Sequence, residues 1–419
     1  MGVRGLTFVH TADCHLDAPF VGIGREDPSL AERLRKAQRA VFDDLIALCI
    51  ERGAAFLVIA GDLYDVAERS LTTRVRLIEQ FRRLGNAGVP VFLATGNHDN
   101  LEETQRGLSF PPNVRLFLPE RPETFFWPDE RPVVAITGMS YGRRAIEENL
   151  ALRFPAPTTG LFNVAVLHCR VEGSPAKETY APCRLEELLR SGYDYWALGH
   201  VHARQVLAEG RTTVVYPGCL QGRQIGETGE KGATAATVDE RGGVRLEFAP
   251  LNRIEWAEAE VDASGVETDE QLAERFRECR NELISNAAAR LEGLIVRWRP
   301  VGRAACDTAA HRRVLEMLRE DAFEHRPFLW SESVDASGMA PLLDLDVLAK
   351  EESARGDLMR RVEQIRGDPA EMERLRECLL DKSGPGEFAR ELAETEALEK
   401  VLDEATWLGL DLLGREREK

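Results

Sequence analysis

Five short apolar runs in the first half of this chain each end in groups of metal-ligand type, and that repetition constrains the fold more than any other feature. The runs are Leu6–Val9, Phe56–Ala60, Val89–Leu93, Val164–Leu167 and Tyr195–Leu198. They lead into Asp13-Cys14-His15, Gly61-Asp62-Leu63-Tyr64-Asp65, Gly96-Asn97-His98-Asp99, His168 and Gly199-His200-Val201-His202. Short apolar runs bounded by turn residues read as buried strands. Five strand ends that deliver carboxylate, amide and imidazole groups are what a two-metal hydrolytic site needs.

Around these runs residues 1–250 alternate strands with amphipathic helices, an α/β pattern. The first helix is expected to begin in a capping box, Ser29 with Glu32, and to stop at Gly53. The second spans Ser70 to Leu84 and ends in Gly85-Asn86-Ala87-Gly88. After His202, the stretches Thr212–Tyr216, Ala233–Val238 and Val244–Phe248 are separated by glycine-rich turns, which predicts a largely antiparallel back half. Together these segments predict two sheets packed face to face with helices outside.

At 419 residues the chain is too long for one core. A break after Pro250 opens a small α+β unit over 251–338: strand Ile254–Val261, helix Thr268–Arg290, strand Leu294–Arg299, helix Thr308–Ala322, strand Phe328–Val334. Residues 339–419 are helical and acidic, broken at Gly367-Asp368-Pro369 and Gly384-Pro385-Gly386.

Charge narrows the function. Residues 1–250 carry 29 basic and 32 acidic side chains, whereas 251–419 carry 25 and 39. The second part as a whole would repel a nucleic-acid backbone. A phosphate substrate must therefore be held by metals and local arginines; Arg170, Arg204 and Arg223 lie close in sequence to the ligand strands and read equally as phosphate contacts or as surface salt-bridge residues. No Gly-Lys-Ser/Thr phosphate loop is present, which excludes an ATPase of that type. No apolar run approaches the roughly 18–20 residues of a membrane span. The eight cysteines show no CxxC pair, and no basic-then-apolar leader is legible, so a cytoplasmic protein with reduced thiols is expected.

The chemistry of the strand ends is specific. Asp13 and His15 are two residues apart and share a face in an extended segment, as do His200 and His202. Carboxylate with imidazole suits Mn²⁺, Fe²⁺ or Zn²⁺ better than Ca²⁺. Asp62 could bridge two ions, Asn97 adds a neutral oxygen and His168 completes the ligand set of the second ion. Such ions lower the pKa of a shared water and clamp both oxygens of an in-line displacement. His98 is free to protonate the leaving oxygen, and Asp65 can hold its ring in one tautomer. Cys14 and Cys169 read as buried spectators, His10 as a core or supporting histidine and Asp17 as local structure. Asp99 reads equally as a helix cap or a chemical group. His311 and His325 lie outside the constellation.

These residues resemble the calcineurin-like metallophosphoesterases, whose pattern is DxH, GDxxD, GNHD/E, H and GHxH, over residues 6–250. Thr11-Ala12-Asp13-Cys14-His15-Leu16 and Ala60-Gly61-Asp62-Leu63-Tyr64-Asp65 are similar to the SbcD-like DNA repair exonucleases. His15-Leu16-Asp17-Ala18-Pro19-Phe20, Tyr216-Pro217-Gly218-Cys219-Leu220-Gln221-Gly222-Arg223 and Glu230-Lys231-Gly232 resemble the YhaO-type branch. The resemblance implies a two-sheet metallophosphoesterase sandwich over 1–250, a capping domain over 251–338 and a helical, partner-docking region over 339–419. It places Asp13, His15 and His202 on one ion and Asn97, His168 and His200 on the other. Asp62 lies between the ions, His98 is the catalytic histidine and Asp65 its partner.

The expected activity is a DNA exonuclease with two divalent ions, Mn²⁺ foremost, acting in repair with DNA and an SMC-type (SbcC-like) ATPase. Endonuclease activity and a homodimer are left open, and no membrane is involved. The alternative is a small-molecule or nucleotide phosphodiesterase on the same scaffold. A non-catalytic adaptor would need neither His98 nor the full ligand set. The apolar stripes Met372, Leu375, Leu379, Leu380 and Leu398, Val401, Leu402, Trp407, Leu408 either close a helical core or dock the ATPase's coiled coil.

Overall fold

A computed structural model describes residues 5–18, 27–65, 71–101, 109–172, 180–305, 310–383 and 395–415. Ser70, Pro19-Phe20, Thr308 and the break at Gly384-Pro385-Gly386 lie outside these residues. The chain folds into two compact units. The first joins Met1–Ala259 with Cys279–Trp298 and Leu315–Val334; the second joins Glu260–Glu278, Arg299–Val314 and Asp335–Lys419.

The first unit is built on two six-stranded mixed sheets. In one, β1 (Leu6–Thr11), β2 (Leu57–Ala60), β3 (Val91–Ala94) and β4 (Val114–Leu116) run parallel. β11 (Gly232–Val238) and β12 (Val244–Pro250) add antiparallel strands beyond β1. The other sheet orders β5 (Glu123–Trp127), β6 (Val134–Met139), β7 (Phe162–His168), β8 (Tyr195–Gly199), β10 (Thr213–Tyr216) and β9 (Gln205–Ala208). Its four central strands are parallel and its edges antiparallel.

The strands after His202 thus do not make one antiparallel sheet. β9 and β10 complete one sheet, with β10 parallel to β8, while β11 and β12 complete the other. Apolar patterning marks a segment as strand without naming its partner. β4, β5 and β6 were absent from the sequence reading; β4 and β5 are short and half-buried, with no continuous apolar run.

Period-two alternation makes the layers. Phe8, Val58, Phe92, Val164, Val166 and Ala197 point between the sheets. Val9, Leu57, Ile59 and Leu93 face α1 (Pro28–Glu51) and α2 (Leu71–Asn86), meeting Val41, Leu45, Leu77 and Phe81. Ala165, Leu167 and Leu198 face the opposite side, with Leu188 of α3 (Leu185–Arg190). Helix α1 is capped by Asp27, not by Ser29: the Asp27 carboxylate accepts from Ser29 N at 2.7 Å and Leu30 N at 3.0 Å, with Pro28 opening the helix. A proline at the first helical position needs no N–H partner, and the cap lies two residues ahead of the expected Ser29.

The α+β segment forms β13 (Ile254–Asp262), α4 (Asp269–Asn286), β14 (Gly293–Ala304), α5 (Ala310–Glu320) and β15 (Phe328–Val334), with sheet order β13-β14-β15. Within the first unit Ile254, Trp256, Ile295, Phe328 and Trp330 pack with Leu30, Leu34 and Ala37 of α1. In the second unit β16 (Met339–Pro341) pairs with the end of β14, followed by α6 (Leu345–Leu348), α7 (Ala354–Gly367), α8 (Pro369–Ser383) and α9 (Thr395–Arg415). The Gly367-Asp368-Pro369 break separates α7 from α8. Leu348, Met359 and Leu410 are buried together beside Trp407, and Leu398 and Leu402 are buried as well, so much of the C-terminal stripe closes a helical core. Leu408 and Leu412 stay exposed. No described helix is long and apolar enough to cross a membrane.

Candidate metal centre

The parallel strands β1, β2, β3, β7 and β8 end at one edge, and their following residues interlock there. The Asp13 N–H donates to Gly61 O and the His15 N–H to Asp62 O, each at 3.0 Å. Asp13, His15, Asp62 and His200 adopt positive φ (50°, 44°, 52° and 102°). Non-glycine residues rarely do so, at a strain of order 1–3 kcal/mol each. Side chains hold these bends in place. The Gln38 amide of α1 donates to the His15 carbonyl. The Asp13 carboxylate accepts the His200 N–H at 2.9 Å, and Asp62 Oδ1 accepts the His98 N–H at 2.9 Å.

Asp99, buried beneath the loops, accepts from Gly96 N at 2.6 Å, Leu63 N at 2.8 Å and Asp62 N at 3.2 Å. Burial, then the nearby Asp62 charge, pushes its pKa up to about 7. It ties two ligand loops together. The motif glycines permit the close approach: a Cβ at Gly96 would overlap Asp62 Oδ1, and one at Gly199 would overlap the Ala60 carbonyl.

The predicted ligands converge. His15 Nε2 lies 3.2 Å from His202 Nε2, 3.9 Å from Asp13 Oδ1 and 3.7 Å from Asp62 Oδ2. His202 Nε2 lies 3.6 Å from Asp13 Oδ1. His168 Nε2 lies 2.9 Å from Asn97 Oδ1 and 3.5 Å from Asp62 Oδ2. Because His168 Nδ1 faces the Ala60 carbonyl at 2.9 Å, the proton of a neutral ring sits there and Nε2 is a bare lone pair. A lone pair aimed at two oxygens repels them unless a cation lies between, so these residues fit divalent metal. His15, Asp13 and His202 form one such group, and Asp13, Asp62 and His168 another. The His200 ring stands beside His168 with centroids 5.3 Å apart, and Tyr180 covers it at 5.5 Å.

His98 stands at the rim, its ring 4.8 Å from that of His15 and its Nδ1 3.2 Å from Asp65 Oδ2. The Asp65 hydrogen bond raises its pKa against the opposing effect of burial. His202 Nδ1 is 2.7 Å from Glu227 Oε1. Burial disfavours the Glu227 anion, yet the His202 hydrogen bond prevails and its pKa is lowered. Glu227 and Gln38 were not in the sequence reading: each lies tens of residues from its partner and in no strand-end motif. Of the three candidate arginines, Arg204 stacks over Phe248 at 5.2 Å, while Arg223 joins Glu227 at the centre. Cys14 and Cys169 are buried, Asp17 accepts from the Thr73 hydroxyl at 2.6 Å, and His10 is buried against Tyr195.

Mixed carboxylate, amide and imidazole groups at the carboxyl ends of parallel strands define a metal-dependent hydrolase. The calcineurin-like phosphoesterase family matches residues 6–204. The uncharacterized metallophosphoesterase YhaO of Bacillus subtilis is 33% identical over 345 residues, spanning 81% of this chain and 84% of that protein. The DNA double-strand break repair protein Mre11 of Methanopyrus kandleri is 26% identical over 344 residues, spanning 75% and 71%. A dimetal phosphatase from Danio rerio matches 59% of this chain over 100% of its own at 12% identity, with a TM-score of 0.35. The chain belongs to the calcineurin-like metallophosphoesterases, hydrolases that use divalent metal.

Proposed function

We propose that this protein is a two-metal DNA phosphodiesterase, an exonuclease of DNA repair. The observation that carries the reading is the buried convergence of Asp13, His15, Asp62, Asn97, His168 and His202 with the His98–Asp65 pair at its rim. Asp13, His15 and His202 would hold one ion, Asn97, His168 and His200 the other, with Asp62 reaching both. Divalent ions held there, Mn²⁺ foremost, would supply Lewis acidity toward the phosphate and a water. Glu227 and the Ala60 carbonyl fix the tautomers of His202 and His168, so that each presents Nε2 inward. The Asp65 carboxylate accepts from His98 Nδ1 and favours the imidazolium, whose Nε2 proton can pass to the leaving oxygen.

The likeness to a protein named for double-strand break repair supports DNA as substrate. An SMC-type ATPase is the proposed partner, docking on the acidic helices of the second unit, and the cytoplasm the proposed compartment. The test is hydrolysis of linear duplex DNA, single-stranded DNA and bis-p-nitrophenyl phosphate under Mn²⁺, Mg²⁺ and Zn²⁺. Degradation of duplex ends, fastest with Mn²⁺, is expected. Turnover confined to the small diester would replace DNA with a small-molecule substrate.

A further inference from the structure

A phosphodiester approaching this centre meets two further carboxylates, Asp65 beside His98 and Glu227 beside His202. The Arg223 guanidinium stands beside Glu227. The backbone N–H of Arg223 donates to Glu227 Oε2 at 2.7 Å. Its Nη2 lies 3.8 Å from Glu227 Oε1, the same atom that holds His202. That separation is too long for a hydrogen bond, so Glu227 Oε1 faces Nη2 as an ion pair and does not occupy it. The side chain is 19% exposed, and its buried Nε has no hydrogen-bond partner. Because that Glu227 oxygen holds His202, whose Nε2 is 3.2 Å from His15 Nε2, and the His15 ring is 4.8 Å from that of His98, the guanidinium stands on the side of the centre where these three rings meet.

We propose that Arg223 grips a non-bridging oxygen of the scissile phosphodiester on the His15–His98–His202 half of the centre. The inference rests on the phosphodiesterase reading of this site. Non-bridging oxygens gain charge during in-line displacement, and a planar two-pronged donor meets them better than an ammonium.

The experiment compares Mn²⁺-loaded wild type with R223A. Calorimetric binding of inorganic phosphate should weaken about 10–100-fold, the worth of a hydrogen bond to a charged group. The kcat/KM should fall by the same order on bis-p-nitrophenyl phosphate and on an oligonucleotide alike. Metal content should stay at the wild-type level, and millimolar guanidinium should restore part of the lost rate. Wild-type phosphate affinity in R223A overturns the proposal. So does a loss confined to the oligonucleotide, which would put Arg223 on a neighbouring phosphate. Metal loss without guanidinium rescue would reduce Arg223 to a support for Glu227. If R223A does not fold, R223K, which keeps the charge and loses the fork, is read by the same phosphate titration. A wild type that binds phosphate but turns over no diester would sink the functional reading instead, while the phosphate titration still decides for or against Arg223.

Discussion

His168 Nε2 and Asn97 Oδ1 face each other at 2.9 Å with no proton between them in the neutral ring, because His168 Nδ1 donates to the Ala60 carbonyl. Asp62 Oδ2 closes in at 3.5 Å. The fold therefore gathers mutually repelling acceptors before any ion arrives.

Metal should accordingly stabilise the fold. Chelation is expected to lower Tm, and Mn²⁺ at 100-fold above its Kd should add about 2.7 kcal/mol. Asp62→Ala should abolish the Mn²⁺-dependent shift. Thermal scans with and without metal read this, and identical melting of chelated and loaded wild type would refute it.

His98→Ala should retain metal and lose roughly 10²–10⁴-fold in kcat, since it removes a proton donor. Asp65→Asn should retain metal with a smaller loss. The Asp65 hydrogen bond raises the His98 pKa, so the protonated acid persists to higher pH in the wild type. Losing that bond lowers the pKa, and the alkaline limb of the kcat profile should move to lower pH in Asp65→Asn. An emptied metal site in His98→Ala would make His98 a ligand.

Glu227→Gln keeps the size of the side chain but loses the carboxylate that orients His202. Metal affinity should fall roughly 10–100-fold, as for other groups that hold a ligand imidazole. Competitive titration with a metal indicator measures it, and unchanged affinity would mean that the His202 ring is set by packing alone.

What the sequence made legible follows from how local each signal is. The meeting of Asp13, Asp62, Asn97, His168 and His202 is legible because each follows a buried apolar run, so a strand and the side chain its end presents are read together. Glu227 and Gln38 reach the centre across 25 and 23 residues, and no periodicity encodes such a meeting. The pairing of β10 with β8 was hidden for the same reason, since alternation fixes which face a residue occupies and not which strand lies beside it. The cap of α1 was misread because Ser29 and Glu32 fit the box by spacing, while Asp27 before Pro28 holds the first free N–H groups.

His10 lies wholly buried, with Nδ1 3.1 Å from the Tyr195 hydroxyl. Burial lowers its pKa from 6.5 to about 3. The unfolded chain takes up this proton below pH 6.5 and the folded one does not, so the contribution is full above pH 6.5 and is lost as pH falls toward 3. The slope is at most about 1.4 kcal/mol per pH unit. His10→Gln should flatten the fall in unfolding free energy between about pH 6.5 and about pH 4.5 by one proton. Denaturant titrations across that range test this; an unchanged slope would mean that His10 is protonated in the fold.

The last expectation concerns the proposed partner surface. In α9, Leu398, Leu402 and Leu410 are buried, and removing them would damage the second unit itself. Leu408 and Leu412 stand one turn apart on the same helix at 62% and 56% exposure, the spacing that an apolar partner helix reads. Surface leucines away from packing contribute little to stability, usually within about 0.5 kcal/mol. Leu408→Asp with Leu412→Asp should therefore leave Tm and bis-p-nitrophenyl phosphate turnover unchanged while abolishing co-purification with the SMC-type ATPase. Full-affinity capture by the double variant would move docking away from this face, and a large drop in Tm would show that the two leucines serve the helical core instead.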